Sequence, residues 1–225
     1  MDQPTSPVTK KMRDDWDERA RENAEYYVAS STREWDRREF FRSGEINVAN
    51  EIMPDMRRIC GGERSPFELK VLEIGCGVGR MTRTLARVFR HVTAVDISSE
   101  MIGRATANLS DLDNVTLILG DGASLSGVGD HTHDFAFSFI VFQHIPSREV
   151  IASYCREVHR VLKPGSLFKF QVQGAVWDRG EPPDTWNGVS ITADDARQLA
   201  AETGFSLEQS LGDGTQYYWL WFRKP

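Results

Sequence analysis

Residues 71–80 read VLEIGCGVGR: an apolar run ending in an acid, then glycines at 75, 77 and 79, then an arginine. Glycine tolerates unusual dihedrals and lets backbone approach a ligand closely, so such a turn can hold a nucleotide-like cofactor. The dinucleotide fingerprint G-x-G-x-x-G would need a glycine where Arg80 stands. The spelling here is G-x-G-x-G, with Glu73 two residues ahead of it. A pyrophosphate wants a helix N-terminus and no adjacent carboxylate. Glu73 and Asp96, the latter in HVTAVDIS, together suit a ligand with positive charge and ribose hydroxyls. Each also has a plainer reading, Glu73 as a brace for the loop and Asp96 as a helix-entry residue. His144, in FQHIP, is the candidate general base, with an unperturbed pKa of roughly 6.5. Its plainer reading is a pocket wall bonded to backbone. His131 and His133 sit in a polar stretch and read as solvated.

The elements that must position these residues follow from periodicity. Residues 1–13 read as a flexible tail and 14–60 as a helical cap, with Trp16, Ala20, Ala24 and Tyr27 on one stripe. Ile46, Ala49, Met53 and Met56 give a second stripe that Pro54 should kink or split. From residue 61 to 225 the pattern becomes strand and helix in alternation. LKVLEIG, HVTAVDIS, VTLILGD, HDFAFSFI and SLFKFQV read as strands, and Ser98, Ser147 and Thr192 as helix caps. Alternation implies a mostly parallel sheet covered on both faces. The last two strands, around SLEQSL and QYYWLWFRK, are separated only by GDGT, so they form a hairpin and one strand runs reversed. The expected fold is α/β: a Rossmann-like, doubly wound, mostly parallel seven-stranded sheet with a reversed C-terminal strand and an N-terminal helical cap.

Bulk properties narrow the partners. A chain of 225 residues, 40% hydrophobic, reads as a single domain. The net charge of -6 argues against a DNA-binding surface. No apolar run reaches membrane-spanning length, MDQPTSPVTK lacks a signal-peptide core, and Cys60, Cys76 and Cys155 show neither pairing nor zinc-ligand spacing. A cytoplasmic protein with free thiols, no metal and no membrane partner is expected.

LEIGCGVGR resembles the first motif of class I S-adenosylmethionine-dependent methyltransferases. AVDIS, GDGASL, DFAFSFIVFQHI and VLKPGSLFKF follow in the order that family shows, and the fourth-strand segment is similar to its small-molecule, "type 11" members. The resemblance covers residues 69–175 well and does not reach residues 1–60. It implies S-adenosylmethionine as cofactor and S-adenosylhomocysteine as product. It implies that Gly75, Cys76, Gly77 and Gly79 approach the methionine part, with Cys76 a small filler. Asp96 would hold the ribose hydroxyls, and Ile97 and Met101 would line the adenine. Asp121, with Gly122 and Ala123, would meet the adenine edge, although Asp121 also reads as a turn former. Ser138 or Phe139 would contact the amino-acid end. Arg80 would approach the cofactor carboxylate or form a surface salt bridge.

Methyl transfer from a sulfonium needs alignment and exclusion of water more than a covalent nucleophile. The chain lacks the D/N-P-P-Y/F segment of DNA amino-methyltransferases and any Pro-Cys nucleophile. The expected activity is therefore direct methyl transfer to a small acceptor at oxygen, nitrogen or carbon. A protein or RNA methyltransferase and a non-catalytic cofactor-binding module are the alternatives. Acceptor contacts are expected from Tyr26, Tyr27 and Trp35 in the cap, from His144, and from Trp177 and Trp186 in the long linker after the fifth strand.

Overall fold

The structure is a computed structural model that describes residues 6–176 and 182–225. Contacts divide the chain into two compact units, residues 13–120 and residues 121–225, the latter taking in the first turns of the N-terminal helix.

The first unit holds most of helix α1 (Pro7–Val28), then α2 (Arg37–Glu51), α3 (Met56–Ile59), β1 (Lys70–Ile74), α4 (Thr82–Val88), β2 (His91–Asp96), α5 (Ser99–Asn108) and β3 (Val115–Leu119). Its strands pair in parallel in the order β3-β2-β1, with Ile74 beside Val95 and Asp96 beside Leu119. β1 and β2 are almost wholly buried, as unbroken apolar runs predict. α1 starts at Pro7, so residues 7–13, expected to be a loose tail, are helical; it breaks at Asn23, whose φ of -165° and ψ of 84° leave the helical region. Ala20 and Ala24 are buried on the expected stripe. The second stripe is corrected. Phe40, Gly44, Val48 and Ile52 face inward, while Ile46 and Met53 are exposed, because tertiary packing buries the face that carries Phe40. Pro54 splits the segment as expected, standing near the start of a 3-10 turn ahead of α3.

The second unit holds β4 (His133–Ser138), α6 (Arg148–Val161), β5 (Leu162–Val172), α7 (Ala193–Glu202), β6 (Ser206–Leu211) and β7 (Tyr218–Arg223). β4 and β5 are parallel, and β7 lies antiparallel between β5 and β6. Seven strands thus form, with the reversed strand at the predicted place. Ser147 caps α6 through the Val150 amide, and Thr192 with Asp195 makes a full capping box on α7. Residues 120–132, between β3 and β4, are irregular. One expectation changes. His133 is not solvated: it opens β4 and is buried, its Nδ1 2.9 Å from the Thr132 hydroxyl.

Candidate functional site

The glycine turn after β1 is hung on β2. The amides of Gly75 and Cys76 both donate to the Val95 carbonyl, at 2.7 and 3.1 Å. Gly75, Gly77 and Gly79 have φ of 76°, 53° and 85°, a region that side-chain-bearing residues avoid. Asp96 then ties the turn to the start of α5. One carboxylate oxygen accepts from the Gly77 amide at 2.8 Å and the other from the Ser98 amide at 2.9 Å. Space is tight. A Cβ on Gly77 would lie 2.7 Å from Cγ2 of Val28, at the end of α1.

Charge is concentrated here. Glu73 is buried and accepts from the Thr82 hydroxyl at 2.6 Å. Desolvation raises its carboxyl to about 7 against that hydrogen bond and the attraction of Arg80. Asp96 keeps a partly exposed edge, yet the protein packed around it raises its carboxyl to about 6, against three backbone hydrogen bonds. Burial lowers Arg80 to about 10, opposed by Glu73. Arg80 is no surface salt bridge: one terminal nitrogen donates to Ser43 and Asn47 of α2, and its buried Nε has no hydrogen-bond partner. Burial also pushes the Cys76 thiol well up, which fits a filler and not a nucleophile.

Ile97 is half-buried and Met101 fully buried in the cluster with Ala20, Ala24, Phe40 and Val78. The helix that carries Met101 is tied down by a residue the sequence did not single out. Asp17 of α1 accepts from Ser98 Oγ at 2.6 Å and from the Glu100 amide at 3.2 Å. Desolvation works against its charge, but these hydrogen bonds hold the carboxyl below its usual value. Its signal was an acid directly beside the Trp16, Ala20, Ala24 stripe. In the cap, Trp35 donates its indole N–H to the Ala29 carbonyl at 2.8 Å and packs edge-to-face on Phe40. Tyr27 bonds Glu22, and Tyr26 lies under the Arg33 guanidinium.

In the second unit, Asp121 turns its carboxylate onto its own loop. It accepts from the amides of Ala123 and Ser124 and from the Ser124 hydroxyl, at 2.8, 2.7 and 2.6 Å. Gly122 follows with φ of 93°. Ser138 ends β4 fully buried, and Phe139 stacks on Trp219 with centroids 5.5 Å apart. Ile140 has φ of 55°, a strained value for a β-branched residue, and its amide donates to Oε1 of Gln171. Gln171 passes a hydrogen bond to Gln143, which donates to Nε2 of His144 at 3.1 Å, while His144 Nδ1 donates to the Trp186 carbonyl at 2.5 Å. Both ring nitrogens of the base candidate are therefore engaged. Gln143 and Gln171 were not foreseen; a buried glutamine on an apolar strand was the available sign. Trp186 is exposed over the His144 ring. Trp177 lies outside the described residues. Among the described residues, no group of His, Cys, Asp and Glu could hold a metal ion, and no helix is long and apolar enough to cross a membrane.

A glycine turn between two parallel strands, with an acid closing the second strand, is the cofactor end of a Rossmann-like nucleotide-binding fold. Residues 71–165 match the model of a methyltransferase domain family. The chain is 35% identical over 109 residues to a malonyl-[acyl-carrier protein] O-methyltransferase of Priestia megaterium, a match covering 48% of this chain and 38% of that protein. The chain thus spans well under half of that relative's length. Its fold is that of magnesium protoporphyrin IX methyltransferase from Synechocystis PCC 6803 with bound SAM, at TM-score 0.67 and 16% identity over the whole of both chains. A [4+2]-cyclase also shares it, at TM-score 0.71 and 14% identity over 99% of this chain and 98% of that one.

Proposed function

We infer that this protein transfers a methyl group from S-adenosylmethionine to a small-molecule acceptor. The observation that carries the reading is the glycine turn hung on Asp96, with a second enclosed carboxylate, Glu73, beside it. Burial holds both acids up, at about 7 and about 6, so a cationic ligand would stabilise their charged forms. A sulfonium suits that need and a pyrophosphate opposes it. Arg80 Nε, buried and without a partner, is a donor for a ligand carboxylate. These residues fit the cofactor.

When bound, S-adenosylmethionine supplies a methyl group on a good leaving group. The chain's own residues then bind, align and exclude water. Asp96 takes the ribose hydroxyls, Ile97 and Met101 the adenine faces, and the Gly122–Ala123 backbone its edge. Ser138 or Phe139 meets the amino-acid end. His144 has its acceptor nitrogen occupied by Gln143, so it acts as a base only if that amide turns away; otherwise it positions Trp186. Residues 14–60, with Tyr26, Tyr27 and Trp35, form the helical cap, and residues 61–225 the methyltransferase domain. A 2-methyl-6-phytyl-1,4-hydroquinone methyltransferase among the similar proteins supports a small acceptor. The acidic charge and buried free cysteines support a cytoplasmic enzyme without DNA as partner.

The fold is shared with a cyclase, so fold alone does not choose the reaction. Calorimetric titration with S-adenosylmethionine, S-adenosylhomocysteine and NAD tests the cofactor. Micromolar binding of the first two without NAD is expected, and binding of NAD alone would overturn the reading. A methyl-acceptor screen with labelled cofactor then tests turnover.

A further inference from the structure

An open cleft of about 750 Å³ in the first unit lies between α2 and α4, and neither Glu73, Asp96 nor a residue of the glycine turn lines it. Five arginines line it, Arg37, Arg38 and Arg42 on α2 and Arg83 and Arg87 on α4, against two carboxylates, in a protein whose net charge is -6. Both carboxylates are already engaged. Asp36 accepts from the amides of Arg38 and Glu39 at the start of α2, and Glu45 pairs with Arg87 at 2.9 Å.

A merely solvated face would not be built this way. Arg38 and Arg42 stand four residues apart on one helix, as do Arg83 and Arg87, and like charges at that spacing repel. Arg37 and Arg38 also occupy the first turn of α2, the positive end of its dipole, where acids are favoured. Arg38 and Arg42 are exposed and have no ion-pair partner among the described residues. Phe41 holds two more guanidiniums in place, with Arg37 5.5 Å and Arg83 5.6 Å from its ring centroid. Arg83 is further braced by Asp111 and the Asn108 carbonyl. Guanidiniums grip a phosphate in pairs of parallel hydrogen bonds, so several of them gathered around a half-buried ring suit that group.

We propose that this cleft is a binding site for a phosphate or pyrophosphate group, free or carried as an ester on a small molecule. Arg38 and Arg42 supply the uncommitted charge, and Phe41 and Arg83 form the floor. The site stands apart from the cofactor reading, and neither depends on the other.

The test is calorimetric titration of the full chain at low ionic strength with inorganic pyrophosphate, inorganic phosphate and phenyl phosphate, with chloride-matched controls. Wild-type protein should bind pyrophosphate, and the double substitution Arg38→Gln/Arg42→Gln should weaken it at least tenfold. S-adenosylhomocysteine binding and the melting temperature should stay unchanged in that variant, since both side chains are exposed. Phenyl phosphate binding tighter than phosphate would support the site and identify an ester seated on Phe41; equal binding would support it for the free anion. Absence of pyrophosphate binding, or equal binding by the double variant, would overturn the proposal. Preference for a single-stranded oligonucleotide over pyrophosphate would overturn the small-ligand assignment.

Discussion

Two acids close strands in this molecule, Asp96 after β2 and Asp121 after β3, and their carboxylates are used in opposite ways. Asp96 reaches across to the glycine turn and to the start of α5, and the packing around it pushes its carboxyl up to about 6. Asp121 folds back on residues two and three further along, and although desolvation opposes it, the Ser124 hydroxyl and loop amides hold its carboxyl below the usual value. The first acid is strained toward neutrality and gains from a cationic or hydroxyl-bearing ligand. The second is satisfied by its own loop and gains little. Under the proposed function, the carboxylate raised by burial is the one that meets the ligand, and the self-satisfied one at the next strand end is not.

The largest effect expected from that contrast is at Asp96. Asp96→Ala orphans the amides of Gly77 and Ser98, so it should weaken S-adenosylmethionine binding well over tenfold and cost about 2–4 kcal/mol of stability. Calorimetry and urea unfolding read both, and unchanged affinity would remove Asp96 from the site. Next is the turn itself. Gly77→Ala must hold φ near 53° and collide with Val28, costing about 2 kcal/mol or more. Adding Val28→Ala should recover the steric part and leave the backbone part, so a double variant no more stable than the single one would contradict the contact.

A smaller effect should appear with pH. Glu73 and Asp96 have folded values above their unfolded ones, so the ligand-free protein binds more protons than the unfolded chain between about 4 and 7. Their contribution to stability is fully present below the unfolded values and is lost as pH rises through the folded ones. The same deprotonation favours a sulfonium over a neutral thioether. The ratio of S-adenosylmethionine to S-adenosylhomocysteine affinity should rise severalfold from pH 6 to pH 8, and Glu73→Gln should flatten the rise. A ratio independent of pH would mean that neither acid faces the sulfonium. Smallest is Asp121→Asn, which keeps an acceptor for the loop amides. It should cost about 1 kcal/mol at neutral pH and leave cofactor affinity within threefold. A loss as large as that of Asp96→Ala would abolish the distinction between the two strand ends.

What the sequence disclosed follows physical range. β1, β2 and the capped helices α5, α6 and α7 were legible because apolar runs and capping residues act within a few positions. The glycine turn was legible because glycines at 75, 77 and 79 answer to backbone dihedrals alone. The rotation of α2 was misjudged: Ile46 and Met53 are apolar but exposed, and only tertiary packing decides which stripe a helix buries. Asp17 was missed because Ser98 lies 81 residues away along the chain, and the Gln171–Gln143 bond because it spans 28. His144 was noticed, but the amide that occupies its free nitrogen could not be read from spacing.

The position of β7 has a consequence for the order of assembly. It follows β6 in sequence yet lies between β5 and β6, so β5 cannot complete its hydrogen bonds until the whole hairpin has been made. Until then β5 presents an edge carrying Leu167, Phe168 and Phe170, all wholly buried at the end. An apolar, unpaired edge of that kind recruits other strands. Docking of the β6–β7 hairpin is thus the step at which a growing chain passes from aggregation-prone to protected.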